Sequence, residues 1–372
     1  MVTSIVVDQN AQCLSSSRQI NYVFGVPWPD LNDGLKYTDN IKSSNTQEMI
    51  DLTLIQFYST KYRDSAPILG WIQRIRNRQI TVDGEVVTDP DFTIRIGSKL
   101  VYNRLPWKEP NAPYTLQVLY EDEHMIAINK PSGLQVLSGG LFQQRTVLHQ
   151  LQWKTYGHIS SPHTCLSASS REQHPTPVHR LGRGTSGILL CAKTKIAKSR
   201  LASYFADGTS SITVRRTSRM ENDSRGISKS YRALVQGKLH QDEVQIEQPI
   251  GVMHYPGVAK GLYVASSSGK PSSSKVLVLE RNIERNETIV QVEILSGRPH
   301  QIRIHLAFIG HPLVGDPLYV SGGHPNYSQP VSEDATFAKD GGYHRPANPV
   351  PGDCGYHLHA HQLVLRHPTT NK

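Results

Sequence analysis

The apolar residues follow two patterns, one before and one after a linker predicted at residues 106–114, which contains three prolines. Before it, residues 46–62 and the segment after Pro67 carry apolar side chains at helical spacing, which predicts two helices. Asp83-Gly84 lies between two β-branched stretches and predicts a hairpin, because a type I′ turn needs two residues with positive φ. Residues 94–102 predict a further strand pair. Together these elements predict a small α+β domain over residues 46–105.

After the linker, the pattern changes to many short β-type runs and few helical segments. The predicted strands are 118–120, 125–128, 187–193, 229–237, 274–279, 288–295 and 360–365. The predicted helices are 146–153, 197–205 and 300–309. This mixture predicts an α+β domain over residues 115–372 with a mixed, mainly antiparallel sheet.

Four further stretches lack a regular apolar pattern. Residues 1–45 are polar and predict an irregular N-terminal segment. Residues 157–177 are rich in Ser, His and Pro, residues 208–228 are rich in arginine, and residues 321–355 are dense in Gly, Pro and Asp. We expect these three to be loops or insertions in the larger domain.

The charge balance indicates which class of binding partner is favoured. The 372 residues include 40 Lys and Arg against 31 Asp and Glu, a net charge of +9. Such a surplus favours a polyanion, although it also fits a moderately basic soluble protein. The four cysteines form no C-x-x-C pair, so no disulfide framework or zinc knuckle is indicated. No membrane span and no secretory signal is expected, so the cytoplasm is the default compartment, with nucleus and organelle left open.

Candidate chemistry is concentrated in four separated segments of the larger domain. Residues 119–134 end in KPSGL, residues 179–187 read HRLGRGTSG, residues 229–235 read KSYRALV, and residues 297–319 contain GRPHQIRIH followed by GHPLVGDPLY. Taken alone, the glycine-containing loop either brings backbone close to a ligand or is a generic tight loop. A lone tyrosine on a strand is usually part of the core.

In order and spacing, the four segments resemble pseudouridine synthases of the ribosomal large-subunit type. Those enzymes carry K-P-x-G, H-R-L-D-x-x-T-S-G, K-x-Y-x-A and G-R-x-H-Q-I-R-x-H. The resemblance covers residues 50–367 and implies a pseudouridine synthase catalytic domain, with RNA as the partner and no cofactor or metal. Relatives continue past the position of Lys372 into another apolar segment, so we expect a truncated or alternatively spliced chain.

The resemblance also implies roles for individual residues. The family's catalytic aspartate corresponds to Gly182, which has no side chain. Arg180 corresponds to the arginine that fills the space of the extruded base, and Tyr231 to the tyrosine facing that base. Arg303 corresponds to the cation that pairs with the aspartate. Contacts to RNA are expected from Arg183, Arg298 and Gln301.

The small domain resembles an S4 RNA-binding domain, since two helices precede a hairpin and the second helix is basic. Arg74, Arg76 and Arg78 are then expected to contact RNA. The alternative is any small α+β module with an incidental basic helix. We expect a monomer.

Three hypotheses remain open because Gly182 can do none of the work of an aspartate. In the first, the protein isomerises uridine, with Asp122, Asp207 or Asp316 replacing the missing carboxylate. In the second, the protein binds RNA without turnover, and an unpaired Arg303 leaves a positive pocket. In the third, a metal-dependent enzyme uses the alternating histidines of residues 357–361.

Overall fold

The computed structural model describes most of the chain, in two compact units. The described residues are 5–6, 21–42, 52–63, 65–157, 174–214, 227–255, 258–294, 297–325 and 354–370. Residues 29–109 form the small unit, and the described parts of residues 1–28, 110–328 and 350–372 form the large unit.

The bounds of the elements are as follows. The helices are α1 (Leu54–Lys61), α2 (Ile68–Arg76), α3 (Val147–Tyr156), α4 (Lys195–Val214) and α5 (Gln301–Phe308). The strands are β1 (Ile5–Val6), β2 (Tyr22–Phe24), β3 (Leu35–Asn40), β4 (Ile80–Val82), β5 (Glu85–Val86), β6 (Lys99–Arg104), β7 (Leu116–Glu121), β8 (Met125–Lys130), β9 (Thr176–Pro177), β10 (Ser186–Ala192), β11 (Ile227–Gln236), β12 (Glu243–Ile246), β13 (Ile250–Tyr255), β14 (Val258–Ala265), β15 (Ser274–Asn282), β16 (Glu287–Ile294), β17 (Tyr319–Ser321), β18 (His324–Pro325) and β19 (Leu358–Leu365). Within this part of the chain, no helix combines the length and apolarity needed to cross a membrane.

The large unit is built on one mixed sheet. Its strands lie in the order β12-β15-β16-β11-β19-β10-β8-β7-β2, with β1 paired to β19 and β9 paired to β10. The β10–β19 pair is parallel, whereas β10 pairs antiparallel with β8 and β19 pairs antiparallel with β11. The prediction of an α+β fold with a mixed, mainly antiparallel sheet is therefore confirmed.

Strand β10 runs through the middle of this sheet and is buried on both faces. Ile188 and Leu190 pack into one apolar cluster, while Leu189 and Cys191 pack into another. Alternate side chains of a strand point to opposite faces, so a continuous apolar run fits a strand covered on both sides. The glycine-containing loop at residues 179–185 leads directly into this strand, so the core fixes its position.

The small unit contains α1, α2 and a sheet in the order β3-β6-β4-β5. Helix α1 begins with a capping box between Thr53 and Gln56, which satisfies backbone N–H groups that have no partner inside the helix. The predicted hairpin is confirmed, with Asp83 at φ 53° and Gly84 at φ 98°. The predicted helix after Pro67 is confirmed as α2. The S4-like character of this unit stays a prediction.

Two predictions in the N-terminal part are corrected. The segment predicted to be irregular contains β2, which pairs with β7, and β3, which pairs with β6. Both partners are far away in sequence, so no local pattern reveals these strands. Residues 94–102 contribute the start of one strand rather than a strand pair. Gly97 there has φ +92°, and the chain turns before β6 begins at Lys99.

The predicted loops are also shorter than expected. Helix α4 continues through residue 214, because the single Gly208 costs about 1 kcal/mol without ending a helix. Residues 176–177 form β9, and residues 319–325 form the β17–β18 hairpin. The remainder of these loops lies outside the described residues, as do residues 43–51 at the start of the first predicted helix. Strands β12, β13 and β14 had no counterpart in the prediction.

Candidate functional site

A cleft of about 650 Å³ lies in the large unit. Three of the four chemistry-bearing segments line it directly: residues 179–182 with Thr185, Lys229 and Tyr231 on β11, and residues 297–303 at the start of α5. The loop at residues 135–139, which follows the first segment, lines it as well. Three of the four segments therefore meet at one cleft.

The Lys-Pro-Ser-Gly segment holds the HRLGRGTSG loop in place. The Lys130 ammonium is buried and donates hydrogen bonds to the carbonyl oxygens of Leu134 and Arg183. The Ser132 hydroxyl donates to the carbonyl of Gly184 at 2.7 Å. A charged donor on backbone carbonyls makes a strong hydrogen bond. The motif lysine thus positions the loop that carries Gly182.

The cleft is cationic. Four of its lining residues are arginine or lysine: Arg180, Lys229, Arg298 and Arg303. Among the described residues that line it, none is an aspartate or a glutamate. Arg180 is exposed, whereas Lys229 lies over the Phe205 ring at 5.3 Å. Burial lowers the pKa of the Lys229 ammonium. A cleft lined by cationic side chains attracts phosphate.

Arg303 has a carboxylate partner. Its guanidinium donates two hydrogen bonds, of 2.6 and 2.7 Å, to the two carboxylate oxygens of Asp316. The exposed fractions of the two side chains are 4% and 0%. Burial alone would lower the pKa of Arg303, but the hydrogen bonds to Asp316 raise it. The idea of an unpaired Arg303 is therefore wrong, and Asp316 is engaged in this ion pair.

The position of the missing aspartate is occupied by a tyrosine hydroxyl. A Cβ atom built on Gly182 would lie 2.8 Å from the Tyr356 hydroxyl oxygen and 3.3 Å from that of Thr185. Those two hydroxyls lie 3.3 Å apart. The Arg303 guanidinium lies over the Tyr356 ring at 4.2 Å. Sequence reasoning missed Tyr356, since it follows the irregular segment of residues 321–355 and belongs to no motif.

Asp122, another carboxylate candidate, does not line the cleft. Asp122 accepts hydrogen bonds from Tyr120 and His367 and from two backbone N–H groups in the β7–β8 turn. These hydrogen bonds outweigh burial and lower its pKa. The side chain of Asp207 lies outside the described residues. Asp122 is therefore not placed to replace the aspartate.

Tyr231 lines the cleft as the motif predicts. Burial raises the pKa of its phenol to about 12, so the hydroxyl is protonated at neutral pH. Arg298 also lines the cleft, and its guanidinium donates to the carbonyl of Pro271 at 3.2 Å. Gln301 is buried and donates to Ser273 and Ser274, so its amide ties α5 to β15. Arg183 lies over the Phe142 ring at 4.9 Å, outside the set that lines the cleft.

The three arginines of the small unit differ in exposure. Arg74 is only 3% exposed and lies over the Trp71 and Tyr102 rings, so the expectation that it contacts RNA is corrected. A buried cation stacked on aromatic rings stabilises the core. Arg76 and Arg78 are exposed at the end of α2 and stay candidates for contact with RNA.

The alternating histidines of residues 357–361 do not lie together on one face of a regular strand. The register between β11 and β19 skips His361, which lies at a bulge, and His357 precedes the strand. The His359 imidazole shares a hydrogen bond with Ser186 at 2.8 Å. Among the described residues, no group of three or more His, Cys, Asp or Glu is arranged to hold a metal ion.

Comparisons with known proteins show the family to which the chain belongs. The family model described as RNA pseudouridylate synthase matches residues 124–308. RNA pseudouridine synthase 5 from rice (Oryza sativa subsp. japonica) is 62% identical over 356 residues, covering 94% of this chain and 88% of that protein. The chain belongs to the RNA pseudouridylate synthase family. The Arabidopsis thaliana protein named RNA pseudouridine synthase 5 is 63% identical over 343 residues, covering 92% and 91% of the two chains. An uncharacterised RNA pseudouridine synthase from Synechocystis is 37% identical over 319 residues, covering 86% and 91%.

Three histidines of this synthase, His305 in the core and the partly buried His179 and His300 at the cleft, predict how its stability depends on pH. Burial lowers the pKa of His179 and His300 from 6.5 to about 3, and that of His305 to about 4. The unfolded chain therefore binds protons near pH 6.5 that the folded synthase does not bind. The contribution of the three unprotonated histidines to the free energy of unfolding is present above pH 6.5 and is lost as the pH falls towards 4. We expect a lower urea midpoint at pH 5 than at pH 7.

The matched variant for this prediction is His305→Gln. Its urea midpoint is expected to fall less between pH 7 and pH 5 than that of the wild type, because one of the three groups is absent. A wild-type midpoint that is unchanged or higher at pH 5 would contradict the prediction.

Proposed function

We propose that this isomerase converts uridine to pseudouridine in structured RNA. The observation that carries the proposal is one cationic cleft that three of the four family segments line, with no acidic side chain among the described residues that line it. The fourth family segment, residues 119–134, is bonded to the loop that carries Gly182. Phosphate contacts dominate the affinity of proteins for nucleic acids. An RNA strand that enters this cleft meets positive charge on several sides.

The reaction breaks the bond between N1 and C1′ of uridine and joins C5 of the same base to C1′. Neither oxidation nor an energy source is needed, so no cofactor is required. A stacked uridine must first leave the helix, at a cost of about a few kcal/mol. The exposed Arg180 side chain at the cleft is suited to fill the space that the base vacates.

Tyr231 is positioned to contact the base. It extends from β11 next to Lys229, and it lines the same cleft as Arg303. With its pKa raised to about 12 by burial, the phenol stays a hydrogen-bond donor across the neutral range. Its ring and hydroxyl together offer a stacking surface and a polar contact for the uracil.

Release of tritium from 5-³H-uridine RNA tests the function. Total cellular RNA labelled in this way is incubated with excess protein, so that one turnover is measured. We expect the wild type to release tritium, and the Tyr231→Phe variant to release it about 100-fold more slowly or less, because a positioned proton donor is absent. Tyr120→Phe is the control, since Tyr120 lies on β7 outside the cleft lining, and its hydroxyl donates to Asp122.

A second candidate function is RNA binding without turnover. The absence of an acidic side chain from the described residues that line the cleft favours it, because family members use a carboxylate there. The same assay separates the two functions. RNA binding by the wild type without tritium release would favour the second candidate.

We also propose that the small unit, residues 29–109, contacts RNA through Arg76 and Arg78, which are exposed at the end of α2. An Arg76→Ala/Arg78→Ala protein is expected to bind RNA more weakly and with a shallower dependence on salt, since each lost phosphate contact removes about one unit of slope. Filter binding between about 50 and 200 mM salt measures this. Arg74→Met, which changes the core, is expected to keep the wild-type slope.

We further propose that the enzyme acts as a monomer.

A further inference from the structure

The space next to Gly182 holds an oxygen atom where an aspartate would place one. In an aspartate, the distance from Cβ to a carboxylate oxygen is about 2.4 Å, as standard bond lengths require. The Tyr356 hydroxyl oxygen lies 2.8 Å from the Cβ position of Gly182. The tyrosine oxygen therefore lies, within a few tenths of an ångström, at the distance from this Cβ position at which an aspartate would have a carboxylate oxygen.

The surroundings of the Tyr356 hydroxyl oxygen fit the role that the aspartate has in the family. Tyr356 is 5% exposed and yet lines the cleft, so its ring is held firmly. The Arg303 guanidinium lies 4.2 Å from the ring centre, and the Thr185 hydroxyl lies 3.3 Å from the tyrosine oxygen. The cation that would face a carboxylate in relatives thus faces the aromatic ring of Tyr356 here. A cation beside the ring stabilises negative charge that develops on the phenol oxygen.

The other hydroxyl groups that line the cleft are less suited than that of Tyr356 to replace the aspartate. Tyr231 belongs to a strand and corresponds to the family tyrosine that faces the base. Tyr263 is 37% exposed, and its ring lies 6.2 Å from that of His300. Among the described residues, only Tyr356 and Thr185 have side-chain oxygens within 4 Å of a Cβ atom at Gly182. An aliphatic hydroxyl is less acidic than a phenol, so tyrosine is the better nucleophile of the two.

We propose that the Tyr356 hydroxyl oxygen is the catalytic nucleophile that attacks C1′ of uridine in place of the family's aspartate. This inference rests on the proposed function. Tyrosine nucleophiles at an anomeric carbon are known in other enzyme families, so the chemistry has precedent.

The steps balance without a further reactant. The tyrosine oxygen forms a bond to C1′, the N1–C1′ bond breaks with its electron pair going to the base, and the phenolic proton moves to N1. After the base turns, C5 attacks C1′, and the pair of the O–C1′ bond returns to the tyrosine oxygen. That oxygen then takes the proton lost from C5. The product is pseudouridine, and Tyr356 is regenerated as a phenol.

The first test is Tyr356→Phe in the single-turnover assay with 5-³H-uridine-labelled total RNA. We expect the rate to fall about 1000-fold, as for the loss of a nucleophile, with RNA binding and thermal midpoint close to those of the wild type. The control Tyr120→Phe removes a hydroxyl that donates to Asp122 and does not line the cleft, and it is expected to keep the wild-type rate. A Tyr356→Phe rate within about tenfold of the wild type would overturn the inference.

The second test replaces the Tyr356 hydroxyl by a carboxylate at position 182. In Gly182→Asp/Tyr356→Phe, the hydroxyl is gone and a carboxylate can take its place. We expect this double variant to be at least about tenfold faster than Tyr356→Phe alone. A double variant no faster than Tyr356→Phe would show that the oxygen at this place is not what the reaction needs. A wild type that releases no tritium refutes the proposed function itself, whereas an active wild type with an active Tyr356→Phe refutes only this inference.

Discussion

An Arg303→Met protein is expected to unfold at a much lower urea concentration than the wild type. Its Asp316 carboxylate, with a side chain that is 0% exposed, would stay buried without a charged partner. Breaking a buried ion pair on one side costs about 3–5 kcal/mol, because the remaining charge is desolvated and uncompensated. Urea denaturation followed by circular dichroism measures this loss.

The matched control is Lys275→Met. Lys275 pairs with Glu243 at 2.9 Å, but both side chains are at least a third exposed, and exposed pairs contribute little to stability. We expect its urea midpoint to equal that of the wild type. An Arg303→Met midpoint as high as that of this control would contradict the structural role of the Arg303–Asp316 pair.

A Gly187→Ala substitution is expected to separate the two central strands of the large sheet. Gly187 has φ +108°, and a Cβ atom there would lie 2.3 Å from the carbonyl oxygen of Ala360 and 2.7 Å from its nitrogen. Gly187 and Ala360 are register partners in the parallel β10–β19 pair, which joins the two halves of the sheet. Strain and overpacking against backbone atoms together cost about 3 kcal/mol or more.

The control for this substitution is Gly310→Ala. Gly310 also has a positive φ, +86°, but no atom lies within 4 Å of a Cβ built on it. Only the backbone strain remains, at about 1 kcal/mol. Urea denaturation of the two variants side by side isolates the steric contribution. Equal midpoints for both would show that the approach of β10 to β19 is looser than the structure has it.

The Gly187 contact also explains why the last glycine of HRLGRGTSG is required. The sequence shows the glycine, but not the strand that approaches it, because Ala360 is far away along the chain. The same limit applies to β2 and β3, which pair with strands distant in sequence. In contrast, the Asp83-Gly84 hairpin and α2 carry local signals, namely positive-φ residues and helical spacing, and both were predicted.

The sequence predicted those residues of the candidate site that belong to the four motifs. They identified the loop at residues 179–187, Tyr231 and Arg303, all of which line the cleft or lead into it. They did not reveal Tyr356, whose role depends on its position opposite Gly182. The hypothesis of RNA binding without turnover left Arg303 unpaired, whereas it pairs with Asp316. A side chain that replaces another from a different element leaves no trace in local spacing.

The pseudouridine content of RNA after incubation with the wild-type protein tests the central claim most directly. Total cellular RNA is incubated with excess protein, digested to nucleosides, and separated by chromatography with mass detection of the carbon-linked isomer. We predict that pseudouridine increases with time while uridine falls by the same amount. An unchanged ratio, with RNA still bound to the protein, would contradict the account of this cleft as an isomerase site.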